Sequence, residues 1–183
     1  LPPGERVNED EKLADLLADL ARRGAMNTAS AVENAFRLAC EAHRNQMRSN
    51  GAPYVVHPLR VALVLLNEWE VTDGDVLVAA LLHDAVEDTA VNLQEVEDRF
   101  GERVRDLVDH LTKPEVAEGQ EKAERTAAYY ARLGEGPKEA RLIKMADRVD
   151  NLRDMLTARW AEEKKRAYVS EALDVILPLG KAE

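Results

Sequence analysis

Residues 81–89 read Leu-Leu-His-Asp-Ala-Val-Glu-Asp-Thr, which places His83, Asp84, Glu87 and Asp88 at the end of an apolar run. On a helix, residues three and four apart share a face. Glu87 is then a neighbour of His83 and Asp84, and Asp88 a neighbour of Asp84. The preceding run, 76–82, is apolar on every side and predicts a buried helix. Buried carboxylates are costly unless something positive pairs with them, and no Lys or Arg lies between 76 and 89. These residues leave two readings open. One is a bound divalent cation, because imidazole and carboxylate together suit Mn, Fe, Zn or Ni. The other is a helix end that reaches water and carries ordinary solvated acids.

The elements that position this stretch come from a chain of 183 residues, a length that suits one domain or one domain with an added arm. Hydrophobic residues make up 45%, enough for a core, but only 4% are aromatic, so that core is expected to be Leu, Val and Ala. A formal net charge of −10 argues against non-specific binding to nucleic acid or an anionic membrane. An anionic substrate would need local Arg, Lys or metal. Cys40 is the single cysteine, which excludes an intramolecular disulfide and fits a reducing compartment, hence a cytoplasmic protein. The longest apolar runs, 61–66 and 76–82, fall far short of the roughly 20 residues of a membrane span. The first residues lack the apolar region of a signal peptide, and Met26 is a candidate alternative start.

In chain order, Leu13, Leu16, Leu17 and Leu20 predict an amphipathic helix over 8–23, an arm (residues 1–25) that packs on the remaining domain (26–183) or on a partner. Ser30 and Glu33 form a capping-box pattern that predicts the next helix start. Val32, Ala35, Phe36, Ala39 and His43 share its inner face, with His43 a core or supporting histidine. Turn residues Asn50-Gly51-Ala52-Pro53 mark a loop over 46–57, and Pro58 suits the first turn of a buried helix over 58–70, leaving His57 at its mouth. Asp73 should cap a central helix that continues to Glu87-Asp88. Asn92 caps and Gly101 stops a short helix, and Val104, Leu107, Val108 and Leu111 predict another over 102–111. A polar loop, read as mobile, follows over 113–122, then a helix over 121–133. Pro137 opens a long helix with a core stripe of Leu142, Met145, Val149, Leu152 and Leu156. Opposite it lie Asp147, Asn151 and Asp154, a pattern that ordinarily marks the wet face. A last helix over 161–177 should stop at Pro178. No β-alternation, repeat or internal boundary appears, so the expected fold class is all-α, in a single domain.

Four separated pieces then line up with one family: His43-Arg44-Asn45-Gln46-Met47-Arg48 leading to Gly51-Ala52-Pro53-Tyr54-Val55-Val56-His57-Pro58; residues 80–89; Phe100-Gly101 with Leu111-Thr112-Lys113; and residues 143–153, Ile-Lys-Met-Ala-Asp-Arg-Val-Asp-Asn-Leu-Arg. Together they resemble the HD-superfamily hydrolase domain of RelA/SpoT enzymes, over roughly residues 31–168. The remainder leaves no room for a synthetase or regulatory domain, so the chain looks like a stand-alone small alarmone hydrolase, similar to the metazoan Mesh type.

The resemblance implies an HD-type helical bundle that removes the 3′-pyrophosphate of ppGpp or pppGpp. It implies one metal ion, usually Mn2+, held by His57, His83, Asp84 and Asp147. It implies that Glu87 and Asp88 position or deprotonate the attacking water. Arg48 matches an arginine that packs on the base, Asn151 a nucleoside contact and Tyr54 a pocket residue. Lys113 and Lys144 match lysines near the site, which either touch phosphate or are solvated or helix-pairing lysines. Ser49, Asn50 and Ala52 depart from the Lys, Ser and Glu common at those places, which leaves guanine and adenine alarmones both open. Other HD nucleotide phosphohydrolases, such as an NADPH phosphatase, and a non-catalytic helical module are the alternatives. The implied partner is a small nucleotide, with no nucleic acid or membrane and a homo-oligomer open.

Overall fold

The computed structural model describes residues 9–114, 121–157 and 160–181. Its axis is α4 (Gly74–Leu82). Asp73 caps that helix, its side chain accepting from the Asp75 amide at 3.1 Å. Val76 to Leu82 are all buried, as an all-round apolar helix must be. Each fully buried Leu there contributes about 1.5–3 kcal/mol relative to exposure. Around α4 pack α2 (Ala29–Ala42), α3 (Val56–Leu63), α7 (Glu102–Leu111) and α9 (Lys138–Thr157). Gly74 lets the residue before α2 come close, because a Cβ there would lie 2.5 Å from Thr28 Cγ2. The inner face expected for α2 is the one observed: Val32, Ala35, Phe36, Ala39 and His43 are buried.

α1 (Glu9–Arg22) lays Leu13, Leu16 and Leu20 into the same core and packs on α2 and α3. A 3-10 turn over Met26–Thr28 runs straight into α2. Ser30 therefore sits exposed inside the first turn of α2 and does not cap it, and Glu33 pairs instead with Arg37. The reason is that the preceding turn already supplies carbonyl acceptors: the Thr28 and Ala29 amides bond to Ala25 and Met26 oxygens.

α3 begins at Val56, earlier than the proline pattern indicates, so His57 lies within its first turn rather than in the loop. It widens into a π turn over Val64–Glu68. The central helix does not run unbroken to Asp88: it ends at Leu82, turns at His83-Asp84, and resumes as the single turn α5 (Ala85–Asp88). α6 (Leu93–Phe100) is capped by Asn92, whose side chain accepts from the Glu95 amide at 3.0 Å. Gly101, at φ 91°, ends α6 and starts α7. Most of the polar loop expected over 113–122 lies outside the described residues.

After α8 (Lys122–Glu135), the long helix α9 presents a different face from the one its apolar stripe indicates. Ile143, Ala146, Asp147 and Asp150 are buried, whereas Leu142, Met145, Val149 and Leu152 are half-buried and Leu156 is 80% exposed. The charged stripe faces inward because partners on α3 and α4 are waiting for it. α10 (Glu162–Glu171) continues through a π turn (Ala172–Ile176) into α11 (Leu177–Lys181), so Pro178 does not end the run. The Leu177 amide bonds to Ala172 O in the wide register, so the helix is already widened where it meets Pro178 and passes it without ending. Gly180 accommodates Met145 of α9. Arg148 also holds α10 in place, with its guanidinium 4.0 Å over the Tyr168 ring and paired to Glu171 at 2.8 Å. Among the described residues the architecture is helical, with Met47 and Pro53 forming an isolated β-bridge, and no helix is long and apolar enough to cross a membrane.

Candidate metal centre and active site

Three helices each deliver one donor to a common point. His57 comes from the first turn of α3, His83 from the end of α4 and Asp147 from the middle of α9. The donor atoms of these three buried residues all lie within 4.8 Å of one another. His57 Nε2 is 3.1 Å from Asp147 Oδ1, and the two imidazole centroids are 5.1 Å apart at 73°. Both rings have their other nitrogen committed. His83 Nδ1 donates to Ala80 O at 2.8 Å, and His57 Nδ1 meets Asp150 Oδ2 at 2.6 Å. Only the Nε2 atoms are left to take a proton or a cation. His83 Nε2 is buried and makes no hydrogen bond, its 3.1 Å approach to Asp84 Oδ2 missing the bonding geometry. Asp84 flanks the trio, 3.7 Å from His57 Nε2, and its Oδ2 accepts from Tyr54 OH at 2.6 Å.

The electrostatics of this point call for positive charge. Burial favours a neutral His83 ring, but Asp84 outweighs it and pushes the pKa up to about 9. Burial opposes ionisation of Asp84 too, yet His83 holds it well below the usual carboxylate range. Asp147 is held low against its burial by Lys144, whose Nζ lies 2.7 Å from Oδ2, and Lys144 is itself held well above its ordinary value. Asp150, also buried, is held low by His57 and Arg60.

The acids on α5 stand beside the trio. Glu87 is paired with Lys113, at 3.0 Å from Nζ and 3.2 Å from the backbone amide. The positive charge absent from the local sequence is thus brought in by the segment after α7. Asp88 is exposed at the rim, yet partial desolvation of its carboxyl followed by the charges of Asp84 and Glu87 raises its pKa. Its backbone carbonyl accepts from Gln46 Nε2 at 2.8 Å, and its Oδ2 lies 3.4 Å from Tyr54 OH. Gln46 is oriented by His43 Nδ1 at 2.7 Å, and the His43 ring stacks on Tyr54 at 4.6 Å. Burial and Asp84 push the Tyr54 phenol far above its ordinary value, so it acts as a donor.

On another side of the trio, Arg48 donates to Asn151 Oδ1 at 2.8 Å and pairs with Asp154 at 2.9 Å, while its guanidinium lies 5.8 Å from the Tyr54 ring centre. Asn151 in turn donates to Asp147 Oδ1. All the residues named from the sequence therefore gather in one region. Lys113 and Lys144 are engaged by carboxylates, and each Nζ lies 5.7 Å from the ring centre of buried Tyr129. Sequence reasoning passed over Tyr129, Asp150 and Arg60. For the last two a signal existed: Asp150 follows Asp147 by three and Arg60 follows His57 by three, so each shares its helix face.

An all-helical fold that buries a His-His-Asp donor set, with a consecutive His-Asp step at the end of its central helix, defines a class of helical proteins with a candidate metal site. Residues 35–183 match the family model described as HD domain, and the chain belongs to that family. It is 36% identical over 153 residues to guanosine-3′,5′-bis(diphosphate) 3′-pyrophosphohydrolase MESH1 of Xenopus tropicalis, covering 81% of this chain and 84% of that one. Identity to the Homo sapiens MESH1 is 39%, over 76% of this chain and 79% of that one. The guanosine-3′,5′-bis(diphosphate) 3′-pyrophosphohydrolase of Aquifex aeolicus is 35% identical across 94% of this chain, which spans only 24% of that longer protein. A solved structure described as a metazoan ortholog of SpoT that hydrolyzes ppGpp superposes with a TM-score of 0.74 at 35% identity, covering 84% of this chain and 87% of the other.

Proposed function

We propose that this protein is a metal-dependent hydrolase that removes pyrophosphate from the 3′ position of ppGpp and pppGpp, leaving GDP and GTP. The observation that carries the reading is the meeting of His57, His83 and Asp147 donor atoms within 4.8 Å, beside the Glu87-Asp88 turn. The buried, unbonded Nε2 of His83 fits a cation better than it fits a packed core. His57, His83 and Asp147 would hold that ion, with Asp84 beside them, and the mixed imidazole and carboxylate set suits Mn2+. When bound, the cation supplies Lewis acidity and a water of lowered pKa.

The chain's own groups supply the rest. Asp88, whose raised pKa brings it closer to the working range of a base, accepts or orients the water proton. Glu87, fixed by Lys113, holds the other side of that water. Water attacks the phosphorus bonded to O3′, the P–O3′ bond breaks, and O3′ leaves as a hydroxyl after taking up a proton. Arg48 lies flat against the base, Asn151 contacts the nucleoside, and Tyr54 closes the pocket while fixing Asp84 and Asp88. Lys113 and Lys144 offset, close to the phosphates, the repulsion expected from a net charge of −10. The hydrolase occupies residues 26–183, with 1–25 as an arm. The single cysteine fits residence in a reducing compartment, the cytoplasm.

A second reading, adenine alarmones of the ppApp type as substrate, is favoured by the loop around Arg48. There Asn50 Oδ1 is committed to the Ala52 amide at 3.0 Å, which removes a polar group from the base edge. Incubating the Mn2+-loaded protein with ppGpp, ppApp and NADPH in parallel separates these readings by product. Pyrophosphate release from ppGpp is the expected result, and a manganese-bound protein inert towards all three would sink the enzymatic reading.

A further inference from the structure

We propose that Asp150 and Arg60 are positioning residues that make His57 the stronger of the two imidazole donors. The proposal rests on the cation-binding part of the reading above, not on its choice of nucleotide. Asp150 is 2% exposed in the middle of α9, where an unpaired carboxylate would be costly. It is fully engaged. Its Oδ2 accepts hydrogen bonds from His57 Nδ1 at 2.6 Å and Arg60 Nη2 at 2.9 Å, and its Oδ1 accepts from Arg60 Nε at 2.6 Å. The two-pronged guanidinium contact fixes the plane of the carboxylate as well as offsetting its charge.

His57 is thus clamped from behind with Nε2 directed at Asp147. A charged acceptor on Nδ1 increases electron density at Nε2, and such outer partners typically change metal affinity 10–100-fold. His83 has no such support, since its Nδ1 partner is the neutral Ala80 carbonyl. Arg60 does a second thing: its Nη2 also lies 2.8 Å from Asp154 Oδ1, whose other oxygen holds Arg48. One guanidinium therefore fixes both the metal donor and the residue assigned to the base.

The test is equilibrium Mn2+ binding by metal-stripped protein, read from the electron paramagnetic resonance signal of free Mn2+. Wild type, D150N, R60M, R60K and E68Q are compared after circular dichroism has confirmed that each is folded. D150N, nearly isosteric, should bind Mn2+ 10–100-fold more weakly. R60M should show a loss of similar direction, and R60K should recover part of it. E68Q breaks the exposed Glu68–Arg153 pair elsewhere on α9 and should bind as wild type. D150N within threefold of wild type would overturn the proposal, as would an equal loss in E68Q, which would mark a general loosening of α9. If R60M fails to fold, D150N carries the test alone. A wild-type protein that binds no Mn2+ overturns this proposal together with the metal reading. One that binds Mn2+ normally but leaves ppGpp intact sinks the substrate assignment, and the affinity series still decides this one.

Discussion

α4 and α9 both run through the middle of the molecule and both carry a donor, but they are buried for different reasons. α4 is apolar all round and would sink into any helical core; His83 arrives at its end as a passenger of that burial. α9 buries Ala140, Ile143 and Ala146, but with them it also buries charged side chains. Asp147 and Asp150 reach the interior only because Lys144, His57 and Arg60 meet them there. The first helix is held by transfer from water, which is non-directional. The second adds to that a set of directional contacts, each of which is expensive to leave half-made. A substitution in α4 should therefore reduce stability and spare the chemistry, while one in α9 should strike both.

The largest effect is expected at Asp147. Asp147→Ala removes a donor of the trio and strands Lys144, so it should abolish metal uptake and turnover together. Loss of one partner from a buried pair also costs about 3–5 kcal/mol. Metal content after dialysis and a urea melt check the two halves. Retained Mn2+ in this variant would break the claim that α9 serves the site through its buried acids.

Asp88→Ala comes next, on the open side of the site. It should keep the metal and lower turnover about 10²–10⁴-fold, the usual range for a general base. If the metal is lost as well, Asp88 belongs with the donors and not with the proton-handling pair.

Leu81→Ala tests α4 alone. Leu81 is fully buried, so its truncation should cost about 2–5 kcal/mol of stability by chemical denaturation. Mn2+ affinity below the transition should remain that of the parent. An equal loss of metal binding would mean that the apolar helix is also part of the site's directional framework.

This contrast also explains which parts of the molecule could be read in the sequence. Non-directional burial leaves a strong pattern: α4, the inner face of α2 and the stripe of α7 were evident from spacing, and Asp73, Asn92 and Gly101 marked element ends. Directional burial leaves almost none, because an Asp on an otherwise amphipathic helix looks the same whether it meets water or a histidine. The periodicity of α9 therefore pointed to the wrong face, and Asp147 entered the site only through the resemblance of its surrounding motif. Asp150 and Arg60 were marked only by their three-residue spacing from Asp147 and His57, which does not tell a buried partner from a solvated one. Backbone register was equally hidden: the 3-10 turn before α2 displaced the cap from Ser30, and the π turn before Pro178 let the helix pass a proline.

The smallest effect separates a cap that forms from one present only as a pattern of letters. Asp73 accepts from the Asp75 amide and pairs with Arg103 at 2.7 Å, whereas exposed Ser30 lies inside a continuous turn. Asp73→Ala should cost about 1 kcal/mol, mostly from the cap, since a solvent-exposed ion pair adds little. Ser30→Ala should stay within about 0.5 kcal/mol of the parent. The pH dependence of the Asp73 effect has a defined sign. Hydrogen bonding from Arg103 lowers the folded carboxyl pKa below its ordinary value. The stabilisation is therefore complete above the unfolded value of about 3.9 and fades as pH falls through the lower folded one. Urea melts of parent and Asp73→Ala should differ at pH 7 and converge in strong acid. A difference that grows on acidification would show that α4 is held at its start by something other than this carboxylate.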